Sequence, residues 1–287
     1  MPRTATMAHV ATVRGYDSVV GVVHDGEMTE LAEQVAIITG GGQGIGQRIA
    51  IALAGAGAAV VVTGRTEATL ASTVALVTEM GGRARAVTAD VAKSADCDRM
   101  VAETIAAYGR LDILVNNAGI AGVTKSTLDM SQEEWQEVID IDLTGPWLCT
   151  KSALPTMIAA GRGVILNISS AAGRTGYAMR SPYAAAKWGL IGLTQTWARE
   201  WGSAGIRCNC ICPGAIEGDR IERVIRARAE TLGLSYEQTK AGFVANASLG
   251  RMATEDEVAS VALMLCSDAG RGMTGQTLNV DCGTNMN

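Results

Sequence analysis

Three side chains near the middle of the chain have the types and spacing for proton transfer at an oxygen. They are Ser170, Tyr183 thirteen residues on, and Lys187 four residues further. Tyr183-Ala184-Ala185-Ala186-Lys187 is strongly helix-forming, so the i, i+4 pair puts phenol and ammonium on one helix face. A tyrosine alone, with a pKa of about 10, is a poor proton donor or acceptor at neutral pH. A lysine cation held beside it favours the phenolate. Ser170 follows the apolar run Val164 to Ile168, which reads as a buried strand ending where the serine begins. A strand end facing a helix can bring a hydroxyl to a phenol from elsewhere in the chain. A bare Y-x-x-x-K pair also describes a surface tyrosine and lysine on an ordinary amphipathic helix, and the upstream elements decide between the two.

Val35 to Thr39 reads as a short buried strand, followed by Thr39-Gly40-Gly41-Gly42-Gln43-Gly44-Ile45-Gly46 and a helix from Gly44 to about Gly55. Glycines between a strand and a helix let the backbone approach a pyrophosphate, which then sits on free N–H groups at the helix N-terminus. The spacing differs from the G-x-G-x-x-G dinucleotide fingerprint, but the required strand and helix flank it. The next strand, Ala59 to Thr63, ends in Gly64-Arg65, about twenty residues past the glycines, where a dinucleotide ribose belongs. An acid there favours NAD; glycine followed by arginine suits a 2′-phosphate and hence NADP. The same arginine also fits a solvated surface position.

Helix and strand keep alternating: helix Thr66–Met80, strand Ala84–Thr88, helix Ser94–Tyr108, and strand Leu111–Asn116 running into Asn117-Ala118-Gly119. A helical stretch from Ser131 to Ala160 is expected to be interrupted near Pro146 and Pro155. After the Ser170–Lys187 region come strand Gly205–Ile211, Pro213-Gly214, a charged helical segment over 215–249, helix Thr254–Cys266 and strand Gln276–Val280. Such βαβ repetition implies an α/β fold, a parallel sheet covered by helices on both faces.

Net charge of -5 with no long basic run argues against nucleic acid as a partner. The uncharged stretch Ile49 to Gly64 is broken by glycines and too short for a membrane span, and no secretory signal is evident. Seven cysteines include no C-x-x-C. Cys208, Cys210 and Cys212 alternate on one strand face. Three thiols suit a soft metal or a small apolar core, and without a fourth ligand at zinc spacing the core is favoured, so no metal site is expected. The thiols are taken as reduced and the chain as cytoplasmic. His9 and His24 precede the first strand, which leaves no histidine for a triad in the folded domain. Residues 1–29 lack periodicity and read as a poorly ordered extension, outside a domain spanning 30–287.

The chain resembles the short-chain dehydrogenase/reductase family, closest to its oxoacyl-carrier-protein-reductase-like members. Thr39-Gly40-x-x-x-Gly44-x-Gly46, Asn116-Asn117-Ala118-Gly119, Ser170, Tyr183-x-x-x-Lys187 and Pro213-Gly214 stand in family order and spacing. The resemblance implies a single doubly wound Rossmann-type domain, a seven-stranded parallel sheet and a homotetramer. It implies an NADP(H)-dependent oxidoreductase acting on a small ketone or secondary alcohol. It makes Tyr183 the acid/base, has Lys187 favour the phenolate and bind the nicotinamide ribose, and has Ser170 hold the substrate oxygen. Gly40, Gly44, Ile45 and Gly46 would line the pyrophosphate site. Asp90 and Val91 would meet adenine, Asn117 the adjoining ribose, and Ile216 the nicotinamide carboxamide. Ser169, one residue off the spacing, is read as structural.

Two positions depart from the family pattern. Asp142 stands where the family carries an asparagine whose backbone carbonyl holds a water linking the lysine to solvent. The aspartate can keep that contact and adds a charge near Lys187, or it simply marks a helix kink. Gly218 replaces a threonine, removing a hydroxyl contact to nicotinamide. The segment 215–249 is expected to form a substrate lid opposite Gly173–Arg180. Arg174, Arg180, Arg220 and Arg223 recognise an anionic substrate or are solvated lid charges, the latter being the commoner situation. Trp147 and Trp188 are read as packing residues. The alternatives to the reductase are an NAD-dependent alcohol, sugar or diol dehydrogenase of this fold, and a catalytically silent dinucleotide-binding sensor or structural protein.

Overall fold

The computed structural model describes residues 30–286, so the expectations for residues 1–29 and both histidines lie outside it. Strands and helices alternate through the described chain. The first half holds β1 Val35–Thr39, α1 Gly44–Gly55, β2 Ala59–Gly64, α2 Glu67–Glu79, β3 Arg83–Thr88, α3 Ser94–Tyr108, β4 Ile113–Asn116 and α4 Gln132–Ile139. The second holds α5 Gly145–Ala159, β5 Gly163–Ile168, α6 Ser181–Trp201, β6 Ile206–Pro213, α7 Asp219–Leu232, α8 Tyr236–Val244, α9 Glu255–Cys266 and β7 Thr277–Val280. The strands form one sheet of seven in the order β3-β2-β1-β4-β5-β6-β7. Every pairing is parallel, as expected.

The strands are apolar on both sides because both faces are covered. Ile38, Val62 and Val115 pack with α1, α2 and α9 through Ile49, Leu53, Leu70 and Val258. Ile37, Val61 and Leu114 point the other way, onto α3, α5 and α6 through Met100, Leu148, Leu154 and Trp197. The winding reverses between β1 and β4, and the crevice at the carboxyl ends of those strands is where such sheets place their ligands. Among the described residues no helix is long and apolar enough to cross a membrane.

The expected interruptions of the 131–160 helix are partly corrected. The chain runs from α4 through a π-helical turn, Asp140–Thr144, into α5, with Gly145 N–H bonding back five residues to the Asp140 carbonyl. Pro146 has no N–H, so the carbonyl of Asp142, four residues earlier, lacks its α-helical donor, and the turn loosens there. Pro155 lies inside α5 without ending it. The carbonyl it leaves bare belongs to Lys151, which is exposed and can be solvated.

A ladder of amides crosses the sheet near the site. Asn116 Nδ2 donates to Thr150 Oγ1 on α5 at 3.0 Å and to Asn167 Oδ1 on β5 at 2.9 Å. Asn167 Nδ2 donates in turn to Thr194 Oγ1 on α6 at 2.8 Å. Both asparagines are buried, so each lost partner leaves a polar group dry. Asn167→Ala is expected to destabilise the protein by about 1–3 kcal/mol, read from urea unfolding. An unchanged midpoint would show that the ladder does not anchor α6.

Candidate active site

At the carboxyl ends of the central strands lies a cavity of about 1530 Å³, whose walls include residues of α7 and α8 from the segment 215–249. Gly40, Gly44, Ile45, Gly46, Arg65, Asn117, Ser170, Tyr183, Lys187 and Ile216 all line it; Asp90 and Val91 do not. Asp90 Oδ1 accepts from Ala92 N–H at 3.1 Å, and Val91 is buried, occupying the space a side chain at Gly145 would need.

The glycine loop is shaped by close approach. Gly40 has φ +64°, and a Cβ on it would stand 2.9 Å from the Ala118 Cα. A Cβ on Gly46 would come within 2.4 Å of both Asn117 Nδ2 and the Gly40 carbonyl oxygen. Asn117 is committed to holding this loop: its Nδ2 donates to the Thr39 and Gly40 carbonyls at 2.9 and 3.2 Å. Thr39 Oγ1 closes the strap, donating to the Val115 carbonyl and accepting from Asn117 and Ala118 N–H. Gln43 offers α1 no side-chain cap and its first turn has no acid, so helix N–H groups are left for an anion. This cradle, with exposed Arg65 on the cavity wall, fits a phosphate-bearing dinucleotide.

One cradle residue escapes the sequence reading. Glu255 in the first turn of α9 lines the cavity, its Oε1 3.3 Å from where a Cβ would stand on either Gly44 or Gly218. Burial pushes its carboxyl above the usual range, opposed by Arg48 and reinforced by Asp256 and Asp219. Nothing in the local sequence separates it from an ordinary helix-start acid.

The three candidate proton-transfer residues line the same cavity. Ser170 follows β5, and its Oγ accepts from Ala172 N–H at 3.1 Å, leaving its own proton to donate. Tyr183, in the first turn of α6, is half-buried and faces the cavity. Lys187, one turn on, is 4% exposed, with Nζ 5.6 Å from the Tyr183 ring centroid. Ser169 Oγ donates to the Lys187 carbonyl at 2.8 Å, a structural role.

Asp142, 0% exposed, extends its carboxylate into this group. Its Oδ1 accepts from Ile120 N–H at 2.8 Å, and Oδ2 stands 3.3 Å from Lys187 Nζ. Oδ2 accepts no aligned hydrogen bond, so the contact with the ammonium is Coulombic. The ammonium gives its hydrogen bond to the Ile168 carbonyl at 3.1 Å. Gly119 makes the room: a Cβ there would lie 3.0 Å from Asp142 Oδ2. Asp142 is thus a counter-ion to Lys187 as well as a helix-kink residue.

The other candidates separate. Arg174 is half-buried, its Nη2 donates to the Thr277 carbonyl at 2.7 Å, and it does not line the cavity. Arg220 and Arg223 are exposed on the cavity wall, whereas Arg180 is buried. Cys208, Cys210 and Cys212 are core thiols, burial pushing Cys208 up to about 12, and no metal-holding cluster exists among the described residues. Trp147 and Trp188, read as packing residues, are instead 44% and 50% exposed. They sit on α5 and α6, where no further layer among the described residues covers them.

A family model described as Enoyl-(Acyl carrier protein) reductase matches residues 40–285. A 3-oxoacyl-[acyl-carrier-protein] reductase of Synechocystis sp. is 41% identical, covering 90% of this chain and 100% of that protein. The short chain dehydrogenase/reductase astE of Aspergillus oryzae is 40% identical over 89% of this chain and 96% of its own. Among solved structures, a single-residue variant of actinorhodin polyketide ketoreductase with NADPH superposes with a TM-score of 0.83 at 34% identity, over 87% of this chain and 96% of that one. An NAD+-bound xylitol dehydrogenase gives 0.86 at 27% identity, over 88% and 100%.

Gly46→Ala drives a methyl into Asn117 and the Gly40 carbonyl. It should cost about 1–3 kcal/mol of stability as overpacking and weaken dinucleotide binding, both measurable by urea unfolding and fluorescence titration. Unchanged binding would show that the loop is not the cradle.

Proposed function

The chain belongs to the short-chain dehydrogenase/reductase family, and from that membership we propose that it interconverts a ketone and a secondary alcohol, using NADP(H). The observation that carries this reading is that Ser170, Tyr183 and Lys187 open onto the same cavity as the glycine cradle. A nicotinamide coenzyme, when bound there, supplies or accepts the hydride. Gly40, Gly44, Ile45 and Gly46 would hold its phosphates on the N-terminus of α1, with Ile216 and Lys187 toward its nicotinamide end. Arg65, which makes no ion pair among the described residues, supports NADP over NAD through a 2′-phosphate.

In the reducing direction Tyr183 Oη donates its proton to the carbonyl oxygen as that oxygen gains charge, and Ser170 Oγ–H holds the same oxygen. Lys187 stabilises the phenolate left on Tyr183. In oxidation Tyr183 takes the alcohol proton back. Asp142 acts through Lys187 and is a positioning residue. The helices α7 and α8 serve as the lid over the substrate. The exposed Trp147 and Trp188 suit burial against further copies in a homotetramer, and the seven free cysteines suit the cytoplasm. The silent-binder alternative leaves a buried lysine beside Tyr183, with Ser170 on the same cavity wall, without a purpose.

Tyr183→Phe tests the reading. Turnover of ketones should fall by about 10²–10⁴-fold, while NADPH affinity stays near that of the unmodified protein, which itself binds NADPH more tightly than NADH. Near-normal turnover in the variant would sink the mechanism, and equal binding of the two coenzymes would remove Arg65 from its role.

A further inference from the structure

Arg180 is the one candidate arginine that is buried. It is 5% exposed, yet it lines the cavity and forms no ion pair among the described residues. Nε donates to Thr124 Oγ1 at 3.1 Å and Nη1 to the Ala121 carbonyl at 2.7 Å, while Nη2 makes no hydrogen bond among the described residues. The largest charge influences on it come from Tyr177, Tyr183, Arg220 and Arg228, none of them a carboxylate. A buried cation is normally paired, because desolvation is costly without an opposite charge. Burial draws Arg180 below the usual arginine value, as an uncompensated charge requires.

The backbone independently points to a held position. Met179, immediately before, has φ +68°, a left-handed conformation that disfavours any residue with a side chain. Its carbonyl is fixed by Lys125 N–H at 3.0 Å. Arg180 then starts α6, three residues before Tyr183, so its guanidinium is tied to the element that carries the phenol. Arg220 and Arg228 on α7 line the same cavity and add positive charge without neutralising it.

We propose that Arg180 receives a carboxylate of the substrate, so that the ketone presented to Tyr183 belongs to a short oxo acid. This rests on the ketone-reductase reading above and specifies its substrate class. The missing counter-ion is then brought by the substrate, and its binding to a fixed guanidinium orients the carbonyl. A guanidinium offers planar, charge-assisted donors to a carboxylate, which an ester of the same shape cannot match.

The test compares 3-oxobutanoate with its methyl ester, the same chain with and without the negative charge. For the unmodified protein, kcat/KM with NADPH should favour the acid by tenfold or more, a ratio that needs no variant. In Arg180→Met the acid-to-ester ratio should collapse toward one, and Arg180→Lys should recover part of it. A ratio near one in the unmodified protein, or equal losses on acid and ester in Arg180→Met, would overturn the proposal and leave Arg180 a strut for the 121–124 loop. Calorimetric titration with 3-oxobutanoate, with and without NADPH, separates this from the parent reading. Charge-selective, Arg180-dependent binding without turnover keeps the subsite and sinks the reductase. Turnover of neutral ketones without charge selectivity does the reverse, and neither binding nor turnover of the acid overturns the subsite.

Discussion

The site depends on keeping an ammonium inside the protein beside a phenol. Lys187 Nζ has little access to water, and its charge is met by one carbonyl, Ile168, and one carboxylate, Asp142. A buried ion pair of this kind gains little net stability over apolar packing, but losing one partner is costly. The surrounding architecture is therefore obliged to deliver both. Helix α6 delivers the lysine one turn after Tyr183; the π-turn before Pro146 delivers the aspartate; Gly119 keeps the space between the β4 loop and the carboxylate free. Ile120 N–H satisfies the second oxygen.

A similar constraint governs the other half of the cavity. Thr39 and Asn117 use their hydrogen-bonding capacity on one another's backbone, tying the end of β1 to the end of β4. The glycines must then pass within contact distance of that strap, and the N-terminus of α1 is left facing open space. Polar straps on both sides, with the amide ladder of Asn116 and Asn167 behind them, shape the cavity at the strand ends, and α7 and α8 line it.

Periodicity and punctuation make the strands and most helix limits legible, because those are local signals, and the i, i+4 spacing likewise places Tyr183 and Lys187 one turn apart on α6. The direct contact of Asp142 with Lys187 is legible only as a charge somewhere nearby. Its direction follows from a π-turn, which depends on a proline four residues later and on packing. Asn117 is a ligand contact only by resemblance; it lines the cavity, and the use of its Nδ2 on the Thr39 and Gly40 carbonyls has no signal in the spacing. Asp90 and Val91 are not among the cavity walls: Asp90 accepts from Ala92 N–H and Val91 packs against Gly145. The burial of Arg180 and the exposure of Trp147 and Trp188 run against residue-type expectation. Both are decided by which surfaces meet, and sequence spacing carries no information on that.

Asp142 and Lys187 form one buried unit. A double-mutant cycle in urea unfolding measures this directly, using Lys187→Met, Asp142→Asn and the pair together. Lys187→Met leaves a buried carboxylate without its cation and should destabilise by about 3–5 kcal/mol. Adding Asp142→Asn should restore a large part of that loss, since the amide keeps the Ile120 contact without a charge. Strictly additive losses, with the double variant the least stable of the three, would contradict the account.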